Sequence, residues 1–164
     1  VNGMTGLVDV AGWKLYNNIF YGQSQAPSIN TYHVKDWDFK NNIWMNIGGG
    51  DSDSFESYNG GTFANISFAN ETYYNTGYSP NSSNKITSNP LFVGSGNQEE
   101  FFLLQAGSPM IGTGAAVTSR TKDFYENTVT SPYDRGVFIY GSSENQVVVE
   151  TPVVMGSLSI MVHF

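Results

Sequence analysis

A seven-residue pattern recurs along the first half of the chain. Leu15-Tyr16-Asn17-Asn18-Ile19-Phe20-Tyr21 is followed by Phe39-Lys40-Asn41-Asn42-Ile43-Trp44-Met45 and then by Phe68-Ala69-Asn70-Glu71-Thr72-Tyr73-Tyr74. A weaker fourth copy reads Ile86-Thr87-Ser88-Asn89-Pro90-Leu91-Phe92. Counted between Asn17, Asn41, Asn70 and Ser88, the spacings are 24, 29 and 18 residues. Self-similarity at this period marks stacked repeats. In each copy an apolar residue ends one short strand, a polar pair follows, and β-branched and aromatic residues form a second strand. Asn tolerates positive φ better than any other residue except Gly, so the pair reads as a sharp bend. Stacking the bends would set Asn side chains in a column about 4.8 Å apart, each within reach of the next.

These observations predict about four coils of a parallel β-solenoid over residues 1–92. A sandwich of four unrelated strand-turn-strand units is the alternative. Uneven spacing is compatible with the solenoid, because insertions fall in loops on one face. Gly48 to Gly61 is the longest such insertion. Composition points the same way. Asn, Gly and Ser together make up 53 of 164 residues, and 24 aromatics lie among them. That turn-forming content excludes a helical bundle or coiled coil. Seven Lys and Arg against 14 Asp and Glu leave a formal charge of −7, which argues against nucleic acid as a partner. There is no cysteine to form a disulfide, and no apolar run reaches the length of a membrane span. Nucleotide-binding and zinc motifs are absent.

Residues 93–140 read as irregular with short strands. Residues 1–140 are accordingly one unit of coils and terminal cap. Residues 141–164 form a linker and an alternating strand that either caps the coils or begins a further domain.

Three motifs at the end of the first unit carry a resemblance. Asn89-Pro90-Leu91-Phe92 is followed by Leu104-Gln105-Ala106-Gly107-Ser108-Pro109-Met110-Ile111-Gly112-Thr113-Gly114, then by Asp134-Arg135-Gly136-Val137-Phe138-Ile139-Tyr140. This order resembles the C-terminal part of secreted bacterial right-handed parallel β-helix proteins, among them polysaccharide lyases and glycosidases. Gly112 and Ile139 stand where that family usually carries acidic residues. The resemblance implies an all-β, right-handed parallel β-helix of about four coils with an irregular C-terminal cap. It implies a protein that is secreted, periplasmic or on the cell surface. It implies a role on an acidic polysaccharide, either catalytic, or as a non-catalytic glycan-binding or structural module, or as the stabilising cap of a larger enzyme.

Candidate site residues follow. A lyase removes the proton α to a uronate carboxylate with a basic side chain, and Lys35 or His33 would be that base; a surface charge beside a strand ladder is the alternative. Tyr32, Trp37 and Tyr58 belong to a set of aromatics, with Tyr21, Trp44, Tyr73, Tyr74 and Tyr78, that exceeds the need of a thin core; such rings would stack on sugar, and stacked core or lateral ladders are the alternative for most of them. Asp51, Asp53 and Glu56 form a carboxylate cluster on a glycine-preceded loop, of the oxygen-rich kind that holds Ca²⁺. An acidic solvated loop is the alternative there.

Overall fold

The computed structural model describes residues 9–23, 33–48, 62–77, 79–94 and 99–142. Among the described residues nine three-residue strands form in chain order: β1 (Asp9–Ala11), β2 (Lys14–Tyr16), β3 (Ile19–Tyr21), β4 (His33–Lys35), β5 (Asp38–Lys40), β6 (Ile43–Met45), β7 (Thr62–Ala64), β8 (Ser67–Ala69) and β9 (Thr72–Tyr74). The protein is all-β, and its sheets are parallel. Sheet A is β1-β4-β7, sheet B is β2-β5-β8 and sheet C is β3-β6-β9. The described residues therefore make three full passes, visiting the sheets in the same order each time. A short 3-10 helix, Glu99–Phe102, lies beyond them.

A five-residue frame generates each pass: three strand residues, one residue at positive φ, one connector. The positive-φ residues are Gly12, Asn17 and Gly22 in the first pass, Asp36, Asn41 and Asn46 in the second, and Asn65, Asn70 and Asn75 in the third. Every one is Gly, Asn or Asp, the residues for which the left-handed conformation is least costly. The expected central bend is present, at φ 57 for Asn17, 59 for Asn41 and 54 for Asn70. The two flanking bends follow the same rule. Inter-pass hydrogen bonding continues through the bends, as in Asn17 N to Lys40 O at 2.8 Å and Asn41 N to Ala69 O at 3.1 Å.

Middle strand residues point into the core. Val34, Phe39, Trp44 and Tyr73 are buried there, with Val10, Leu15, Phe20 and Phe68 packed against them. Stacked passes align like residues. Phe39 lies over Phe68 with ring centroids 4.8 Å apart, and Trp13 over Trp37 at 4.9 Å. Those separations match the spacing of neighbouring strands.

The fourth repeat lies in a different register from the one expected. Ser83 bridges Ala69 and Ile86 bridges Thr72. The bend is Asn84, at φ 53, not Ser88. Ile86 therefore continues the row Ile19–Ile43–Thr72 at the start of sheet C, whereas the sequence pattern had placed it at the end of a sheet B strand. The partial fourth pass contributes bridges and no full strand among the described residues.

The irregular C-terminal segment was expected to close the last layer. It lies along the flank of the passes. Ile43, Phe92, Leu104 and Met110 form a second buried cluster, with Ile19, Met45 and Ile86 packed against it. Gly136 sits so close to this row that a Cβ would be 2.9 Å from Ile43 Cδ1 and 3.3 Å from Ile19 Cδ1.

Polar side chains hold the segment down. The bend asparagines, expected to bond the Asn or backbone of the next coil, also reach outward to it. Asn17 Nδ2 donates to the Asp134 carbonyl at 3.2 Å, and Asn70 Nδ2 to that of Thr113 at 2.8 Å. Asn41 donates to the Ala115 carbonyl at 2.8 Å and accepts from its N–H at 2.7 Å. Within the column, Asn41 Nδ2 donates to Asn17 Oδ1 at 3.4 Å. The inter-pass ladder of side chains is made one position later: Asn18 Nδ2 donates to Asn42 Oδ1 at 3.1 Å, and Asn42 Nδ2 to Glu71 Oε1 at 3.0 Å. Arg135, 2% exposed, donates to the carbonyls of Glu71, Asn84 and Thr113 and so ties the third and fourth passes to the segment.

Candidate functional site, a basic cleft on sheet B

In the five-residue frame, the first and third strand residues face outward. On sheet B these are Lys14 and Tyr16, Asp38 and Lys40, and Ser67 and Ala69, with Lys14 beside Asp38 beside Ser67 and Tyr16 beside Lys40 beside Ala69. The Asp38 carboxylate is the hub. It accepts from Tyr16 Oη at 2.6 Å, from Lys40 Nζ at 2.6 Å and from Ser67 Oγ. Lys40 Nζ also stands 5.2 Å from the centre of the Tyr16 ring. Burial acts to raise the Asp38 pKa, but the bonds from Lys40, Ser67 and Tyr16 outweigh it and hold the carboxyl below its usual range. The Tyr16 phenol is pushed up to about 12, first by desolvation and then by its bond to Asp38.

The opposite wall is the stretch from Ala116 to Phe124, positioned by the Asn41–Ala115 clasp. Two adjoining depressions result. One, of about 700 Å³, is lined on the strand side by Lys14, Tyr16, Asn17, Asn18 and Phe20, and on the other by Arg120, Thr121, Lys122, Asp123 and Phe124. The second, of about 450 Å³, is lined by Lys14, Tyr16, Asp38, Lys40 and Ala116 to Ser119. They share Lys14, Tyr16, Val117 and Ser119 and form one cleft.

The charge of this cleft is opposite to that of the protein. Four of the chain's seven basic residues line it: Lys14, Lys40, Arg120 and Lys122. Only Asp38 and Asp123 oppose them, so the lining carries +4 and −2 on a chain of −7. Asp38 is already bound to Lys40. Asp123 is buried and accepts from the N–H groups of Tyr125 and Asn127 and from Ser142 Oγ. Arg120 donates to the Val137 carbonyl at 2.8 Å. Desolvation lowers its pKa, against the pull of Asp123 and Asp134.

The residues expected from sequence are distributed differently. Lys35 is half-buried at the end of β4 in sheet A, in register with Ala11 and Ala64, and is not part of the cleft lining. His33 begins the same strand, opposite Asp9 and Thr62, and only its backbone is described. Trp37, expected as an exposed sugar platform, is 4% exposed. It is a core residue because the connector position after the sheet A bend turns inward, where its Nε1 donates to the Val10 carbonyl at 3.1 Å. Trp44 and Tyr73 are likewise buried, as middle residues of sheet C strands. Tyr32, Tyr58, Asp51, Asp53 and Glu56 lie outside the described residues. Among the described residues no group of three or more His, Cys, Asp or Glu side chains is arranged to hold a metal ion. Nor is any helix there long and apolar enough to cross a membrane.

The cleft itself was not among the sequence-derived candidates. Its signal was the sparseness of basic residues, which makes Lys14, Lys40, Arg120 and Lys122 a large share of a small set. The chain matches no protein-family model, and no curated protein matches it in sequence.

Proposed function

We propose that the chain is a portion of a right-handed parallel β-helix, acting outside the cytoplasm, that binds an acidic polysaccharide in the cleft between sheet B and the stretch from Ala116 to Phe124. The helical reading is supported by the three parallel sheets, each taking one strand from every pass. Right-handedness follows the strong rule for parallel strands joined within one sheet. The observation that carries the binding reading is the concentration of Lys14, Lys40, Arg120 and Lys122 in one open groove of a chain with charge −7. Low-dielectric walls focus such a field and favour a polyanion. Phe20, Phe124, Asn18, Ser119 and Thr121 add ring faces and hydrogen-bonding groups suited to sugars. Nucleic acid is disfavoured by the acidic remainder of the surface.

Binding is favoured over bond cleavage at this cleft. A general base needs a pKa near the working pH. The Tyr16 hydroxyl lies near 12 and donates to Asp38, and Lys40 is paired with the same carboxylate. Elimination with Lys35 or His33 as base would have to take place at sheet A, away from these cations.

Affinity electrophoresis of the full chain through gels containing uronate polymers, sulfated polymers or neutral glucans tests the proposal. Retardation by acidic polymers alone, abolished in a Lys14→Glu/Lys122→Glu double variant, is expected. Equal retardation by neutral glucans, or none by any polymer, would refute it.

A further inference from the structure

One wall of the cleft ends in a hairpin built to present an aromatic ring. Lys122 bridges Thr128 antiparallel, Val129 N donates to Thr121 O at 3.0 Å, and Asp123 N to Asn127 O at 3.0 Å. The tip is closed by Glu126 N donating to Asp123 O at 3.2 Å, with Glu126 at φ 63. The Asp123 carboxylate accepts from the backbone N–H groups of Tyr125 and Asn127 at 2.9 and 2.8 Å. The ring of Phe124 stays 59% exposed, the most open large hydrophobic side chain among the described residues. It is nonetheless oriented, standing edge-on to Tyr125 at 5.6 Å and Phe138 at 5.5 Å. Both of those rings are buried. A phenyl ring left this open forgoes burial free energy that a polar residue would not have sacrificed.

We infer that Phe124 is a specificity-determining platform: one pyranose ring of the bound polymer lies against its face, while Lys122 and Lys14 take the acid group of that sugar. This rests on the reading of the cleft as a polysaccharide site. The chemistry follows from the aromatic quadrupole, whose negative face attracts the weakly positive axial C–H groups of a sugar. The two lysines belong to the same depression as the ring. The Lys14 side chain, on the strand wall, has no hydrogen-bond or ion-pair partner among the described residues, and Lys122 Nζ donates only to the exposed Thr128 Oγ1, at 3.2 Å. The ligand class is therefore a sugar with an apolar ring face and an anionic substituent, in a polymer long enough to continue past Ser119 towards Lys40.

The test is calorimetric titration of the full chain with oligouronates of two to six residues and with the same oligomers after carboxyl reduction. Phe124→Ala should weaken oligouronate binding about tenfold, the size of a lost aromatic contact. Phe124→Trp should retain it. Phe124→Leu, which keeps apolar bulk without a π face, should behave as the Ala variant, and it serves alone if the Ala variant does not fold. Tyr140→Ala, at an exposed ring outside the cleft lining, should bind as wild type. Carboxyl-reduced oligomers should bind all variants weakly. Unchanged affinity in both Phe124→Ala and Phe124→Leu, with loss in Lys14→Glu/Lys122→Glu, would overturn the platform and leave the cleft intact. No oligouronate binding by wild type would overturn both.

Discussion

Asn41 combines two demands that can be separated by substitution. Its φ of 59 lies in the left-handed region, and its 1%-exposed side chain satisfies both the N–H and the carbonyl of Ala115. Asn41→Gly preserves the conformation and removes only the side-chain bonds. Leaving buried backbone groups unpaired costs about 1–3 kcal/mol for each group, and partial rehydration of Ala115, which is half-buried, reduces that. A loss of about 2–3 kcal/mol is expected for the Gly variant. Asn41→Ala incurs the same loss and adds the left-handed penalty of about 1 kcal/mol. The expected order is therefore wild type, then Gly, then Ala, with Ala about 3–4 kcal/mol below wild type. Urea unfolding followed by tryptophan fluorescence measures all three, provided the slopes agree. An Ala variant as stable as the Gly variant would refute the conformational part of the reasoning. Losses under about 1 kcal/mol in both would refute the clasp.

Glu71 sets a pH dependence. It is fully buried, and its carboxylate accepts from Asn42 N, Asn42 Nδ2 and Trp44 Nε1. Burial nevertheless raises its pKa from 4.5 to about 7, against the pull of Trp44, Asn42 and Arg135. The folded state then holds a proton that the unfolded state has released, so this group's contribution is complete below about pH 4.5 and is lost as pH rises to about 7. The loss totals about 3 kcal/mol at about 1.4 kcal/mol per pH unit. Glu71→Gln should flatten that part of the stability profile, and identical profiles in the two proteins would contradict it. Gly114→Ala should destabilise more than Gly107→Ala. A Cβ at Gly114 would stand 2.8 Å from the Asp134 carbonyl oxygen, so backbone must shift, whereas at Gly107, φ 83, nothing lies within 4 Å and Ala incurs only the left-handed penalty of about 1 kcal/mol. Thermal melts of the two variants decide it. Finally, acidic-polymer affinity should fall steeply with salt, because exposed cations contribute most of it.

The repeat and its central bend were legible because Asn at positive φ leaves a signature that stacking reinforces. The flanking bends were not, because Gly12, Asp36 and Asn65, or Gly22, Asn46 and Asn75, satisfy one backbone demand with different residues. A five-residue count from Asn41 would have found Asp36 and Asn46. The fourth pass was misregistered because Ser83-Asn84-Lys85-Ile86 offers only two weak bridges, whereas Ile86 to Phe92 has the stronger apolar pattern. Trp37 was misjudged because hydrophobic content alone does not say which way a connector residue turns. The cleft was beyond pattern reading. Lys14 and Lys40 meet Arg120 and Lys122 only because Asn17, Asn41 and Asn70 bind a distant segment, and such long-range pairing leaves no local periodicity.

Hydrogen exchange of the full chain, with and without a saturating uronate polymer, reads out which backbone amides the polymer covers. Added protection should concentrate at Lys14 to Asn18, Asp38 to Lys40 and Val117 to Phe124, and disappear in the Lys14→Glu/Lys122→Glu variant. Protection centred instead on sheet A around Lys35, with the sheet B cleft unchanged, would contradict binding in the cleft.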